Sequence, residues 1–284
     1  MSMPPAEVGG MRIKRGRSYM HIDCEQAKQT FLDYVFSFDT SNPRIALKLD
    51  HSLRVAETSR KIAQSEALSQ QDCDLAWLIG LLHDIGRFEQ LRRWNTFSDA
   101  QSTSHADLSV AVLFDETKPC LLRSFCKDSA EDDLIRTAIQ LHSVFHLSEN
   151  LSSRTRLFCD LVRDADKLDI MGTIQNSDPM TIMNYSEQEL VTSKLSPEVK
   201  NAFFERRCIK KEERHYPADF VIGFICFIFE LKFSESFRIA LENNDALELA
   251  TKPFGITLPF TNPDTKDFFK IAAKQVKGFL AIKA

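Results

Sequence analysis

The chain is poor in the residues that punctuate short strands. Its 284 residues hold only 9 glycines and 10 prolines, and strand-like alternation of apolar and polar residues is rare. That scarcity argues against a β-sandwich or barrel, whose frequent turns draw on both residue types. There is no apolar run near the roughly 20 residues that a membrane-spanning helix needs. The most apolar stretch, Phe220 to Phe229, has ten residues and includes Gly223, so it is expected to be a buried core helix. No two of the seven cysteines (Cys24, Cys73, Cys120, Cys126, Cys159, Cys208 and Cys226) form a C-x-x-C pair. An odd, scattered set of that kind fits reduced thiols better than a disulfide framework or a structural zinc site. Nor is there an excess of positive charge: 36 Lys and Arg stand against 40 Asp and Glu, for a net charge of −4. An extended nucleic-acid surface or an anionic membrane is therefore not an expected partner, and a phosphate-bearing ligand must be drawn by a local cluster.

What is present points to a soluble, all-α protein, expected in the cytoplasm. Hydrophobic residues make up 43% and charged ones 27%, enough to bury a full core, and phenylalanine is abundant at 22. Residues 1–24 carry Arg12, Lys14, Arg15 and Arg17 without the apolar stretch of a secretory signal, and a disordered leader is expected there, with a small nucleic-acid-binding arm as the other reading. Helical periodicity covers Glu25–Phe38 and Ile45–Leu68. In the latter, Leu47, His51, Val55, Thr58 and Ile62 recur at spacings of 4, 4, 3 and 4. Asp72–Leu82 becomes apolar nearly all round and so belongs inside. It ends at His83-Asp84, where Gly86 permits a sharp exit, and Thr96–Ser104 is expected to be an exposed loop. Further helices are read at His105–Val112, Glu131–Phe145 and Thr155–Ile170. After Gly172 the pattern loosens. Ser196-Pro197 opens a helix, an apolar one follows around 217–233, and Asn262-Pro263 caps a last helix with Phe268, Ala272, Val276 and Phe279 inward. Residues 25–172 thus form one unit, and 173–284 a helical extension packed on it.

Five of the seven histidines lie between positions 51 and 146. A lone histidine on an apolar face is usually a hydrogen-bonded core residue. Here His51, His105 and His142 are each predicted inward on separate helices, Asp166 falls on the inner face of a fourth, and the His83-Asp84 elbow ends an apolar helix. Burying a carboxylate and imidazoles together costs several kcal/mol unless a counter-charge is present. A divalent cation supplies one, and imidazole nitrogen with carboxylate oxygen is an ordinary ligand set for it.

The ordered strings HSLRVAE (from His51), LLHDIGRFE, SHADLS, AIQLHS and RDADKLD resemble the HD-domain superfamily of metal-dependent phosphohydrolases, over roughly residues 27–172. The resemblance implies an all-α helical bundle with a metal held by His51, His83, Asp84 and Asp166. Members with two further histidines, matched by His105 and His142, often bind a second metal bridged by the residue equivalent to Asp84. Relatives place a lysine near the substrate phosphate where this chain has Arg87. Arg87 and Lys167 are then the candidates for neutralising phosphoryl oxygens, with Asp84 orienting a metal-activated water. Lys48 and Arg54, one turn either side of His51, are weaker candidates for the same role, with solvated surface residues the preferred reading. Arg92 and Arg93 would extend a positive rim or flank Trp94. Glu89 could donate a proton to a leaving group, but nothing in the sequence orients it and it is not assigned that role. His146, one turn after His142, replaces it if the helix register differs, and His21 and His215 are expected at the surface.

No Gly-Tyr-Pro follows Arg87, so cleavage of cyclic dinucleotides is not expected, and Ser143 stands where some relatives have a second adjacent histidine. The implied cofactor is one or two divalent ions (Mn, Fe, Ni, Co, Zn or Mg), and the partner a small phosphorylated substrate, a nucleotide by preference. The apolar helix near 217–233 is core or the face of a homodimer. The same ligand order also fits a di-iron oxygenase, and a metal-stabilised nucleotide-binding signalling module without catalysis is the third reading.

Overall fold

The computed structural model describes residues 21–115, 117, 119–256 and 260–284, and among these there is no strand. The first eight helices are α1 (Cys24–Phe36), α2 (Pro43–Ser65), α3 (Gln70–Leu82), α4 (Gly86–Trp94), α5 (His105–Leu113), α6 (Leu122–Phe125), α7 (Asp132–Leu141) and α8 (Ser153–Gln175). Seven follow: α9 (Pro179–Met183), α10 (Glu187–Val191), α11 (Pro197–Phe204), α12 (Pro217–Ile225), α13 (Ser234–Asn243), α14 (Asp245–Thr251) and α15 (Pro263–Lys283). Several starts are written in the sequence as side-chain caps: the side chains of Asn42, Ser69, Ser152 and Asn262 accept N–H groups in the first turns of α2, α3, α8 and α15.

The centre is α3, in which every residue from Leu75 to Leu82 is buried. It packs on α2, α7 and α8. Its approach to α2 depends on Gly80: a Cβ there would lie 2.8 Å from Ser59 Oγ and 2.9 Å from Ala56 Cα. Because α3 is apolar on all sides, the two polar residues at its end, His83 and Asp84, are delivered to the middle of the bundle. The 23-residue α8 is the second organising element. It touches α2, α3 and α7, and also α12, α13 and α14, and it runs through Gly172 to Gln175 without interruption. The later helices are knit by phenylalanines in edge-to-face contact, among them Phe203 with Phe268 at 5.5 Å and Phe229 with Phe279 at 5.1 Å.

Three local expectations need correcting. Most of the leader, residues 1–20, lies outside the described residues, but Ile22 is buried and Cys24 already opens α1. The Gly86 exit is itself the start of α4, a helix without a periodic signal because only Gly86, Phe88, Gln90 and Leu91 are buried in it. The single helix expected at 217–233 stops at Ile225 and tightens into a 3-10 turn over Cys226–Glu230. That turn carries Glu230 to within 3.4 Å of Arg163 and 3.3 Å of Lys167 on α8. No helix among the described residues is long and apolar enough to cross a membrane.

Candidate metal centre

Five elements aim polar side chains at one point in the bundle. His51 sits in the middle of α2, His83 caps the C-terminus of α3 with Asp84 next to it, His105 opens α5, His142 caps α7, and Asp166 lies inside α8. None is more than 9% exposed. The structure therefore brings together all six residues singled out as metal ligands, in three overlapping groups whose donor atoms lie within 4.8 Å of one another: His51, His83 and Asp84; His83, His142 and Asp166; Asp84, His105 and His142.

Each imidazole has one nitrogen already committed. His83 Nδ1–H donates to Gly80 O at 2.7 Å and His142 Nδ1–H to Ile139 O at 2.7 Å. His51 Nδ1–H donates to Asp169 Oδ2 at 2.7 Å, and His105 Nδ1–H to Asp99 Oδ2 at 2.6 Å. With Nδ1 protonated in all four rings, every Nε2 turns its lone pair inward. His51 Nε2 and His83 Nε2 are 3.2 Å apart, and His105 Nε2 and His142 Nε2 are 3.0 Å apart. Two lone pairs do not face each other at that distance unless a positive charge lies with them.

The carboxylates complete the arrangement. Asp166 Oδ1 is 3.2 Å from His51 Nε2 and 3.6 Å from His83 Nε2. Asp84 is shared: its Oδ2 is 3.6 and 3.7 Å from His51 and His83, its Oδ1 3.6 and 3.7 Å from His105 and His142. Two ligands each about 2.1 Å from one ion lie roughly 3.0–3.4 Å apart, so the spacings suit a divalent cation in each half. Asp84 Oδ1 is fully buried and has no hydrogen-bond partner, which a cation would supply.

The protonation states carry the same demand for positive charge. Burial opposes ionisation of Asp84, yet Lys48, then His83, Arg87 and His105, hold its carboxylate well below the usual range. Burial likewise opposes charge on His83, but Asp84 and Asp166 outweigh it and raise that ring's pKa. His142 goes the other way, down to about 3, through burial and the positive fields of His105 and His83. It stays neutral, as a ligand must.

The cations around the cluster differ from expectation in instructive ways. Lys48 is not a solvated residue: its Nζ donates to Asp84 Oδ2 at 2.7 Å and its side chain is 16% exposed. Arg54 is half exposed but grips Asp169 through Nε at 2.5 Å and Nη2 at 3.0 Å, fixing the carboxylate that orients His51. Arg87 has its Nη1 engaged by Gln90 Oε1, Phe97 O and Asp99 Oδ1, while its Nε faces Asp84 Oδ1 at 3.6 Å, so Nη2 is what remains for a ligand. Lys167 lines the cavity and shares Glu230 with Arg163. Arg92 and Arg93 pair with Glu89 and lie over Phe38 and Trp94, so they form no positive rim and Glu89 no proton donor. His146, one turn beyond His142, is exposed, as are His21 and His215.

Several residues here escaped sequence reasoning. Asp169 had a readable signal, three positions after Asp166 on the same helix and so on a neighbouring face. Asp99 had none, because it lies in the 96–104 segment, which is mostly half-buried rather than the exposed loop expected. There Asp99 joins Arg87, Gln90 and His105. Arg163 is buried and donates to the carbonyls of Leu141, His142 and Val144, pinning the end of α7. The two carboxylates that orient histidines set up a paired prediction. Asp169→Ala and Asp99→Ala should each weaken metal binding roughly 10–100-fold. Asp169→Ala should act on the His51 half and Asp99→Ala on the His105 half, as read by competition titration with a chromogenic chelator.

The centre opens on a cavity of about 640 Å³. Its wall includes Lys48, Arg87, Arg163 and Lys167, and also residues 208–212 and 214 from the later part of the chain. Residues 49–171 match the family model of the HD domain. No curated protein and no solved structure matches the chain.

Proposed function

Because residues 49–171 form an HD domain, the helical unit of a superfamily of metal-dependent phosphohydrolases, we propose that this protein cleaves a phosphomonoester or phosphodiester bond in a nucleotide or similar small phosphorylated compound. The observation that carries the reading is the shared carboxylate. Asp84 turns one oxygen to the His51–His83 pair and the other to the His105–His142 pair, with Lys48 and Arg87 against it. Divalent ions held by His51, His83, Asp84 and Asp166, and by His105, His142 and Asp84, would supply an acidified water and polarise a phosphoryl oxygen.

The side chains do the rest. Lys48 and Arg87 keep Asp84 ionised and fixed in direction. Asp169 and Asp99 hold the rings of His51 and His105, while backbone carbonyls hold those of His83 and His142. Lys167 and Arg163, which share the single carboxylate of Glu230, leave net positive charge on the cavity wall for the equatorial oxygens of the phosphate. Ile170, Val144 and Phe227 give that wall an apolar section that limits water around the reacting group.

The test is the metal content of protein purified without added metal or chelator, by elemental mass spectrometry, alongside phosphate release from p-nitrophenyl phosphate and a panel of nucleotides. A divalent metal near one or two per chain is expected, with hydrolysis abolished by chelation and restored by adding the ion back. Two irons per chain with oxygen uptake and no phosphate release would replace the hydrolase with an oxygenase. Tight nucleotide binding without turnover, whatever ion is added, would replace it with a binding module.

A further inference from the structure

The cations nearest the metal centre all have carboxylate partners: Lys48 on Asp84, Arg87 on Asp99, Arg163 and Lys167 on Glu230. Those further along the same cavity, on the 208–214 loop, do not. Lys210, Lys211 and Arg214 line it, and no carboxylate lies within ion-pair distance of any of them among the described residues. Arg214 is only partly exposed, its guanidinium lies over the Phe220 ring at 5.2 Å, and its buried Nε has no hydrogen-bond partner. Burial depresses its pKa, outweighing the more distant carboxylates of Glu212, Asp219 and Glu213. Glu212 is the loop's one carboxylate on this wall, so the loop presents a net positive charge.

This loop is built rather than loose. At one end Arg207 makes a two-pronged ion pair with Glu213, at 2.9 and 2.7 Å, and Glu213 also accepts the N–H of Lys210 at 2.7 Å. At the other, the fully buried Asp219 accepts the N–H groups of His215 and Tyr216 at 2.8 and 2.9 Å, together with the N–H and hydroxyl of Ser196. Lys210 and Lys211 are exposed and Arg214 is half-buried; like charges gathered on one wall without partners repel one another, and a ligand that brings negative charge relieves that repulsion. The scissile phosphate belongs at the metal centre, so that ligand charge is a second group. The cavity volume lies within the range that accommodates a whole small molecule rather than a lone phosphate.

We propose that Lys210, Lys211 and Arg214 form an anion subsite for a second phosphate of the substrate, so that the enzyme acts on compounds carrying at least two phosphate groups. This rests on the phosphohydrolase reading of the metal centre. Residues 208–214, outside the segment that matches the HD domain, thereby select the substrate.

Hydrolysis-resistant probes separate the two claims: α,ω-alkane bisphosphonates with three, six and ten carbons, each compared with the alkyl monophosphonate of the same length, in calorimetric titrations of the metal-loaded protein. At least one bisphosphonate should bind about tenfold or more tightly than its monophosphonate. Arg214→Met, which keeps the stem over Phe220, and the double change Lys210→Gln/Lys211→Gln should each remove most of that advantage while leaving monophosphonate binding and p-nitrophenyl phosphate turnover unchanged. Lys277→Gln, on an exposed face of α15, should change nothing. The subsite is overturned if every bisphosphonate binds like its monophosphonate, if neither loop variant alters the preference, or if Lys277→Gln lowers it equally. A preference that depends on Arg214 in a protein that hydrolyses no ester would keep the subsite and discard the hydrolase. Hydrolysis with no such preference would do the reverse.

Discussion

Asp84→Asn is expected to lower hydrolysis by about 10²–10³-fold or more and to strip most of the bound metal from both halves of the centre. The two oxygens of Asp84 face the two histidine pairs separately, each within 4 Å of both rings of its pair. Asparagine keeps the shape but offers a neutral oxygen to one pair and an N–H₂ to the other, and that N–H₂ points donors where lone pairs already converge. The fold should survive. Lys48 loses its counter-ion, but its side chain is 16% exposed and lines the cavity rather than lying sealed in the core. Elemental mass spectrometry beside circular dichroism decides the matter. A variant that is folded and metal-free agrees with the bridging arrangement, whereas one that keeps wild-type metal content removes Asp84 from the ligand set.

The same residue shows what sequence can reveal. His51, His83, Asp84, His105, His142 and Asp166 were legible because each lies on, or at the end of, an apolar helical face, where an ionisable residue stands out against its neighbours. Lys48 and Arg54 share the helix of His51, yet their partners, Asp84 and Asp169, lie 36 and 115 positions away. Nothing local separates such a cation from a solvated one. Asp99 is similar: its neighbours are Thr96, Ser98, Ser102 and Thr103, an ordinary loop composition, and only the arrival of Arg87, Gln90 and His105 makes it structural. The α4 helix was missed because its arginines mask a narrow buried strip. The 208–214 loop could not be found at all, since its charges resemble those of any exposed turn until the cavity behind them is known.

Gly86→Ala should be among the most damaging single substitutions for stability. A Cβ at this position would sit 2.4 Å from the N of Ser109, 2.8 Å from the C of Leu108 and 2.9 Å from the O of His105. All three are backbone atoms of α5, so no side chain can rotate away and the two helices must separate. Overpacking of this kind typically costs about 1–3 kcal/mol, occasionally more, and the upper end is expected here. In a chain of this size that corresponds to a fall in Tm of roughly 6–12 °C. Separation of α4 from α5 also breaks the Gly86 N–H to Ser109 Oγ hydrogen bond of 2.9 Å and shifts His105 at the start of α5. The variant should therefore lose metal selectively from the His105–His142 half while the His51–His83 half keeps its affinity. Gly278→Ala is the contrast. No atom lies within 4 Å of its Cβ position in the interior of α15, so it should instead stabilise by up to about 1 kcal/mol. Thermal unfolding of both variants, with metal stoichiometry for the first, tests the pair; equal Tm values would show that α5 yields without strain.

The span between His51 and the Asp169 that orients it has a consequence in time. They are 118 positions apart, and a ribosome adding roughly 5–20 residues each second separates their synthesis by about 6–24 s. For most of that interval His51, His83 and Asp84 exist without Asp166 and without the orienting carboxylate, in a nascent chain whose loop to α8 is still open. Three of the four helices and the elbow that meet at the centre have been made before α8 seals it. The half built on His51 therefore matures late, and a nascent chain stalled before α8 would expose an incomplete, poorly selective set of imidazoles to whatever metals the surrounding solution holds. For this fold, completion of the set of metal-ligating side chains is tied to the moment at which one long helix leaves the ribosome.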